Sequence, residues 1–468
     1  MNKNLFFRMS AIVAVLCGCT LAPQYTRPDA PMPAGWPVGA AYPQTQAATD
    51  ATEAAQLKWQ EFIVDARLRQ VIETALNNNR DLRLAALNVE RARALYGIQR
   101  AELFPALNAA GSANIQRVPG DLSSTGRSAT SERYDVNLGI SAWEIDFFGR
   151  IRSLKDSALE EFLATEEARR SAQILLVSAV ADAYLTVAAN WENLKLAGST
   201  LETQKAAYDL IQRRYNHGIA SGLDLRQSQT LVDAARGDIA RFTQLTAQAE
   251  NALNLLVGSA TPGAFLPKDL GSVVPPREIA PGMSSEVLLG RPDIMAGEHR
   301  LKAANANIGA ARAALFPRIS LTTVFGTASS ELSGLFKSGL DTWFFAPQVA
   351  MPIFDARLWS AYDATKIEQE IALAQYEKAI QTAFREVADA LAVRGTADSQ
   401  LSAQQSLVDA TAETFRLSTA RYEKGIDSYL GVLDAQRSLY AAQQILINIR
   451  LLHLSNQVRL YAVLGGGA

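Results

Sequence analysis

The chain has 468 residues, with 45 lysines and arginines against 47 aspartates and glutamates, and a formal net charge of −2. Because it has no excess of basic residues to bind phosphates, we exclude nucleic acid as a partner. Both cysteines, Cys17 and Cys19, lie near the N-terminus, so the later sequence contains no disulfide, thiol nucleophile or cysteine-based zinc site.

The N-terminal segment "MNKNLFFRMSAIVAVLCGC" has a basic start, an apolar run and a small residue before Cys19. This pattern predicts a secretory signal peptide over residues 1–18. Its last four residues resemble a bacterial lipobox, in which the cysteine after the cleavage point carries lipid. We therefore expect a lipid on Cys19, with a plain cleaved signal as the alternative. Residues 19–58 follow as a proline-rich strap, and such a composition favours extended backbone over helix.

The remaining sequence is a duplicated unit, with one copy over residues 59–270 and the other over 271–468. A helical stretch runs from about Trp59 to "RAELFPAL", where Pro105 ends it, and "GAARAALFPRI" returns 212 residues later. The segment "RYNHGIASGLDLRQSQ" returns as "RYEKGIDSYLGVLDAQ" 207 residues later, with seven of sixteen residues identical. We expect each copy to contain a first helix, a β-hairpin and a long helical hairpin.

The β-hairpin of the first copy shows an alternation of apolar and polar residues from Tyr134 to Ser141, which indicates a strand with one apolar face. The second copy has two strand-like runs around a polar loop. Strands of about 11–14 residues can cross a bilayer when tilted. Six aromatic residues near the strand ends are placed for an interfacial girdle: Trp143, Phe147, Phe148, Trp343, Phe344 and Phe345. The alternative is a small soluble sheet with these aromatic residues in its core.

Spanning strands would have to be pooled from several chains, because four strands cannot close a barrel and lipid does not tolerate open edges. Three chains would supply twelve strands, although two or four chains would also give an even number. Beyond the signal we expect no spanning helix, since the nearest apolar run, Ile174 to Ala189, is interrupted by Asp182. The predicted fold class is therefore an α+β membrane protein with four strands per chain.

Long helices without proline follow each β-hairpin, over residues 150–214 and 357–422. Their apolar residues recur at spacings of three and four, as in coiled coils. Returning helices are predicted from about Leu223 to Leu256 and from Leu430 to Leu464. The two repeated motifs are then the turns of two helical hairpins, with Gly218 and Gly425 in the turns.

The sequence offers no pattern for catalysis. None of the histidines, His217, His299 and His453, has a second histidine at ligand spacing. The nucleophile elbow, the Walker lysine loop and the dinucleotide fingerprint are also missing. We predict that the protein is not an enzyme and needs no cofactor or metal.

The carboxylates at the turns have two interpretations. In a trimer around a threefold axis, Leu430 would form an apolar ring, and Asp434 would form a ring of carboxylates that attracts cations. Equally, Asp427 could cap the returning helix and Asp434 could face solvent.

Several motifs together resemble the outer membrane factor family, and more narrowly its lipidated OprM/NodT branch, with TolC as a distant, unlipidated relative. They are the lipobox followed by "PQYTRPDAP", the doubled "LFP", the junctions "WEIDFFGR" and "MPIFDAR", and "RYEKGIDSYLGVLDAQRSLYAAQQ". The resemblance implies a homotrimer, with a twelve-stranded barrel in the outer membrane of a Gram-negative cell continued by a helical barrel in the periplasm. It also implies an exit duct for a tripartite efflux pump, with an inner-membrane RND-type transporter and a periplasmic membrane-fusion adaptor as partners, and lipid around it.

The resemblance further assigns roles to residues at the turns. Leu430 and Asp434 match the rings of the channel gate, and Asp224 and Tyr422 match a latch between neighbouring hairpins, with Asp427 beside them. The adaptor would dock at the turns, around Tyr215, Gly218, Leu223 and Gly425. Two alternatives are an exit duct for protein secretion and a lipid-anchored periplasmic coiled-coil scaffold with no pore.

Overall fold

The computed structural model describes residues 20–42, 57–279 and 284–466. The predicted signal peptide and Cys19 lie outside the described residues, so the lipid on Cys19 stays a prediction. The described chain divides into two compact units. The sheet unit contains residues up to 29, 88–165 and 296–376, and the helical unit contains residues 30–87, 166–295 and those from 377 onwards.

A helix, a β-hairpin and a long helical hairpin occur twice along the described chain, and two additional helices precede the first set. The first series is α1 Trp59–Phe62, α2 Ala66–Asn78, α3 Arg80–Ala101, β1 Leu107–Val118, β2 Ala129–Glu144, α4 Arg150–Asn216 and α5 Gly222–Val257. The second is α6 Pro292–Ala313, β3 Arg318–Ser329, β4 Asp341–Ala350, α7 Ala356–Glu423 and α8 Tyr429–Val463, with short 3₁₀ turns at Leu270–Ser272, Ser285–Gly290 and Leu332–Gly334. The helices α3 and α6 both have 22 residues, and α4 and α7 have 67 and 68, so the repeat spacing is preserved in three dimensions.

The first helical stretch is broken, although a single helix up to Pro105 was expected. Asp65 caps α2 by accepting hydrogen bonds from the backbone N–H groups of Arg67 and Leu68, both at 2.9 Å. Asn79 separates α2 from α3 because its backbone is extended, and its side chain accepts from Leu82 N–H at 2.9 Å. Helix α3 ends at Ala101, so the turn before Pro105 is already non-helical.

The four strands form one antiparallel sheet in the order β1-β2-β3-β4. The two copies meet at its centre, where Tyr134 of β2 pairs with Ser329 of β3, and β1 and β4 are the edges. The strands have 12, 16, 12 and 10 residues, close to the expected length.

The aromatic residues of β4 do not form a soluble core. Trp343, Phe344 and Phe345 of β4 are exposed, and all residues of β1 except Val118 are exposed as well. Phe148 instead lies beyond the end of β2 and stacks on Phe316, with ring centroids 5.0 Å apart. A sheet with exposed aromatic residues fits a lipid environment better than the soluble alternative.

The helical unit contains a buried core along α4. Val180, Ala181, Tyr184, Leu185 and Val187 are fully buried there. Among the described residues α4 is the only helix that is long and apolar enough to cross a membrane by length and composition, and more than half of its most apolar stretch is buried inside the protein. We therefore interpret this stretch as a core segment.

Residues 20–42 of the predicted strap contain no helix, and residues 43–56 lie outside the described residues. In the sheet unit the strap follows α6, where the Asn305 side chain donates to Pro23 O at 2.8 Å and Arg312 donates to Leu21 O at 3.3 Å. In the helical unit, Trp36 stacks on Phe384 with ring centroids 5.2 Å apart.

Candidate functional site

The two helical turns have the same backbone structure. Gly218 and Gly425 adopt positive φ angles of 71° and 73°, which L-residues rarely accept. The N–H after each glycine reaches back to a carbonyl of the preceding helix, from Ile219 to Arg214 at 2.8 Å and from Ile426 to Arg421 at 3.0 Å. Each glycine is therefore the residue that ends one helix and starts the turn. We call the residues 214–225 and 421–434 the first tip and the second tip.

The N-terminus of the returning helix is capped only in the first tip. Asp224 accepts from Ser221 N–H at 3.1 Å and from the Ser221 hydroxyl at 2.7 Å, and the Ser221 hydroxyl accepts from Asp224 N–H at 3.1 Å. This is a capping box. In the second tip the equivalent residues are Ser428 and Gly431, and Ser428 makes no side-chain cap. The Asp224 carboxylate thus stabilises its own turn.

Asp427 forms a two-point ion pair with Arg421, from Arg421 Nη2 to Oδ1 at 3.0 Å and from Nε to Oδ2 at 2.5 Å. The hydrogen bond from Arg421 holds the pKa of Asp427 below its ordinary value. Asp427 therefore bonds to the preceding helix, and the alternative that it caps α8 is wrong, because Ser428 occupies the N-cap position.

Tyr422 connects the two tips. The Arg214 guanidinium donates to the Tyr422 hydroxyl at 2.5 Å, and its Cζ lies 5.1 Å from the centroid of the Tyr422 ring. The Tyr422 ring in turn contacts the Tyr429 ring, with centroids 5.0 Å apart. Burial, with smaller contributions from Tyr422 and Asp224, raises the pKa of Tyr429 to about 12. Arg214 was not among the predicted site residues, although it is the first residue of the repeated motif.

A small apolar cluster surrounds the contact between Tyr422 and Tyr429. Its buried members are Ile211, Tyr429, Val432 and Leu433, and the partly buried Tyr422 packs against them. Because Ile211 belongs to α4 and the others to α8, the cluster holds the two helical hairpins together at their tips.

Leu430 and Asp434 lie on the exposed side of α8, one helical turn apart. The relative exposure is 46% for Leu430 and 59% for the Asp434 side chain. Asp434 forms an ion pair with Arg437, also on α8. Ile219, Leu223 and Ile426 are likewise exposed at the tips, as is Tyr215. Exposed apolar side chains concentrated at a helical turn are suited to contact another protein surface.

A sequence profile of the family described as "Outer membrane efflux protein" matches residues 71–259 and 283–466 of this chain. The chain belongs to this family. The two matched segments contain both tips, and the match confirms the family predicted from the motifs. Family members are transport proteins of the outer membrane, so the predicted location is confirmed too.

Individual relatives are similar to this chain over nearly its whole length. The toluene efflux pump outer membrane protein TtgC of Pseudomonas putida is 49% identical over 471 residues, which cover 100% of this chain and 96% of that protein. The outer membrane protein OprJ of Pseudomonas aeruginosa is 44% identical over 472 residues, covering 100% and 97%. The crystal structure of the open state of the MtrE outer membrane channel of Neisseria gonorrhoeae is 36% identical and has a TM-score of 0.85, covering 96% of this chain and 98% of that one. The predicted class of efflux channel is confirmed.

Proposed function

We propose that three copies of this chain assemble into a passive, gated exit duct of a tripartite efflux pump. The observation that supports it most strongly is the open four-stranded sheet. Its edge strands β1 and β4 have unpaired backbone groups, which lipid does not tolerate. If β4 of each copy pairs with β1 of the next, three copies supply twelve strands, an even number in the bacterial range.

The partners follow from the same assembly. A periplasmic membrane-fusion adaptor would dock on the tips, where Tyr215, Ile219, Leu223 and Ile426 expose apolar surface around the turns at Gly218 and Gly425. An RND-type transporter of the inner membrane would supply the energy, and the duct itself would hydrolyse nothing. Lipid on Cys19 would add a membrane anchor. Relatives are named for toluene and antibiotic efflux, so we propose small toxic organic molecules, drugs included, as the exported class.

We propose that Leu430 and Asp434 form the gate of the duct. Both side chains are exposed on α8 in the single chain, and three copies around an axis would gather three of each. The leucines would close the passage by apolar contact, and the carboxylates would attract cations to it.

We further propose that the contact between Arg214 and Tyr422 is the part of the latch formed within one chain. Asp224 and Asp427 would act more indirectly, because each carboxylate already stabilises its own turn. The latch would then open when the two tips separate and the buried contacts around Tyr429 are lost.

Planar-bilayer recordings test this function. We expect the double variant Leu430→Ala/Asp434→Ala to raise the open probability at least severalfold, because both rings lose their side chains. The matched control is Leu223→Ala/Gln227→Ala, which changes the equivalent positions of the first tip and should leave the currents unaltered. Unchanged currents in a trimeric gate variant would remove Leu430 and Asp434 from the gate. A monomeric, non-conducting wild-type protein would refute the duct and favour the periplasmic scaffold.

A further inference from the structure

A cavity of about 550 Å³ lies where the sheet meets the helices of the sheet unit. The ends of β2 and β4, the beginning of β3, and the adjoining ends of α4, α6 and α7 surround it. Its volume is typical of pockets that bind small organic molecules. We call it the junction cavity, and its wall is mostly apolar, with Ile145, Phe147, Phe148, Phe316, Ile319 and Met351.

Aromatic rings and the turn after β2 build this wall. The Ile145 N–H donates to Ile319 O at 2.8 Å, which holds the turn on β3. Phe148 contacts Phe147 edge to face and stacks on Phe316, with ring centroids 5.3 and 5.0 Å apart. Ile145 and Phe316 are nevertheless exposed. The junction cavity therefore presents apolar surface to whatever lies outside it.

The charged groups of the wall are already paired. The Glu144 carboxylate accepts from Arg150 Nε at 2.8 Å and from Arg318 Nε at 2.6 Å. Asp146 accepts from the N–H of Arg152, in the first turn of α4, at 2.9 Å. The wall thus holds two carboxylates and two guanidinium groups, which balance in charge. A charged ligand would gain little there, whereas a hydrocarbon chain would remove its own apolar surface and that of the wall from water.

The N-terminal strap points towards this cavity. Its residues bond along α6 in reverse order, since Asn305 donates to Pro23 O at 2.8 Å and Arg312 donates to Leu21 O at 3.3 Å. The start of the strap therefore lies at the C-terminal end of α6. Ala313, the residue that follows Arg312 and ends α6, is part of the cavity wall.

Cys19, the predicted site of lipid attachment, comes two residues before Leu21. The hydroxyl of Thr20 accepts from the Ala22 N–H at 3.2 Å, which fixes the first described residues of the strap locally. An extended residue spans about 3.5 Å, so covalent geometry keeps the Cα of Cys19 within about 7 Å of the Cα of Leu21. A lipid on Cys19 would therefore begin beside the junction cavity.

The junction cavity also lies at the level of a membrane boundary in the proposed function. Strands end and helices begin there, so the strands would lie in the hydrocarbon region and the helices in the periplasm. Apolar surface at this boundary meets water and lipid headgroups unless a hydrocarbon chain covers it.

We propose that the junction cavity binds one acyl chain of the lipid on Cys19. This site rests on the lipid of the proposed function and gives it a second role, because the acyl chain would fill the joint between sheet and helices as well as anchor the strap. Membrane phospholipids have similar chains. The Cys19 lipid is the favoured occupant because the strap, whose first residues bond to the end of α6, delivers it to the cavity.

Site-specific photo-cross-linking of the full-length protein in cells tests the occupant. The photoreactive residue p-benzoylphenylalanine is placed either at Phe316, in the cavity wall, or at Phe104 as the matched control. Phe104 is the equivalent residue at the repeat spacing of 212, is also exposed, and is not part of the wall. After irradiation, mass spectrometry of protease fragments identifies what each position has captured.

We expect at least tenfold more cross-link to the acyl chains of Cys19 from position 316 than from position 104. A chain held in the cavity contacts only the first position, whereas a chain that moves freely in the bilayer can reach both.

A narrower cavity supplies a second measurement. Ala314→Leu adds three carbon atoms to a wall residue and should lower the yield from position 316 at least fivefold. Ala311→Leu makes the same change on α6 outside the wall, and it should leave the yield unaltered.

The outcomes separate this site from the proposed function. Equal yields from positions 316 and 104, or an unchanged yield in a trimeric Ala314→Leu variant, overturn the binding of the acyl chain. Cross-links from position 316 only to phospholipid, or only to a second copy of this chain, overturn Cys19 as the source. An intact mass without lipid on Cys19 overturns both this site and the anchor, while the duct is tested separately by its currents.

Discussion

Glu298 holds the N-terminal strap against α6. Its carboxylate accepts from Arg27 Nε at 3.0 Å, lies 3.0 Å from Lys302 Nζ and accepts from the Tyr25 hydroxyl at 3.4 Å. The Glu298 side chain is 9% exposed, whereas that of Arg27 is 48% exposed. In Glu298→Gln the shape stays and the carboxylate charge is lost, so the contact between Arg27 of the strap and Glu298 of α6 becomes weaker by about 1 kcal/mol. Because Arg27 is half-exposed, solvent screening reduces its contribution to this free energy.

We therefore expect Glu298→Gln to destabilise the docked strap by about 1 kcal/mol, which is about fivefold in the ratio of released to docked strap. A nitroxide attached at the exposed position Gln24→Cys reports this ratio as mobile and immobile components of the electron paramagnetic resonance spectrum. Protein that lacks Gln24→Cys is treated with the same label, and its spectrum is subtracted to remove the signal from Cys17 and Cys19. Glu160→Gln is the matched control, because the Glu160 carboxylate contacts His299, which lies next to Glu298 on α6.

The same label gives a pH test with a defined sign. Burial alone would raise the pKa of Glu298, but the hydrogen bonds and charges of Arg27 and Lys302 outweigh it and lower the pKa below its ordinary value. The stabilisation is therefore complete above the ordinary glutamate pKa and is lost as the pH falls through the lowered value. The mobile fraction of the wild-type strap should rise below about pH 4, and that of Glu298→Gln should stay nearly flat. Identical spectra for the two proteins at neutral pH would refute the role of the Glu298 charge.

Two further predictions concern the tips and the end of α5. Gly258 has a φ of 74°, and a Cβ there would lie 2.6 Å from Asn78 O, whereas Gly218, with a φ of 71°, has open space around it. Gly258→Ala should lower the free energy of unfolding by about 3–5 kcal/mol and Gly218→Ala by about 1–2 kcal/mol, and equal shifts in thermal melting would contradict the steric argument. At the second tip, the pKa of Tyr429 is raised from 10.0 to about 12, so its contribution to stability is complete below pH 10 and is lost as the pH rises through 12. The difference in tyrosinate absorbance between wild type and Tyr429→Phe should show one group ionising near pH 12, and ionisation near pH 10 would argue that the ring is not buried.

Features that depend on neighbouring residues were predictable from the sequence. The structure gives α4 as Arg150–Asn216 and α8 as Tyr429–Val463, within about two residues of the expected ends. Gly218 and Gly425 were located correctly as turn residues because a positive φ is a property of the glycine itself. The duplication was visible because the same local chemistry recurs at constant spacing.

The site was less predictable, because its contacts join distant parts of the chain. Arg214 and Tyr422 are 208 residues apart, and nothing in either copy of the motif alone indicates their hydrogen bond. The pairing of Asp427 with Arg421 depends on how the turn folds back, so its position in the sequence could not decide between a cap and another role. Asn79 likewise breaks the first helix where its side chain donates to Leu256 O, which is 177 residues away.

The sequence by itself determined the repeat, the helical hairpins, the strands and the family, since periodicity, glycine conformation and proline act over a few residues. Only the tertiary structure decided which equivalent surfaces are covered. The same helix occurs twice, yet α6 packs on α4 and takes up the strap, while α3 stays open. The physical reason is that burial depends on what the rest of the chain brings to a surface, and two equivalent helices meet different neighbours.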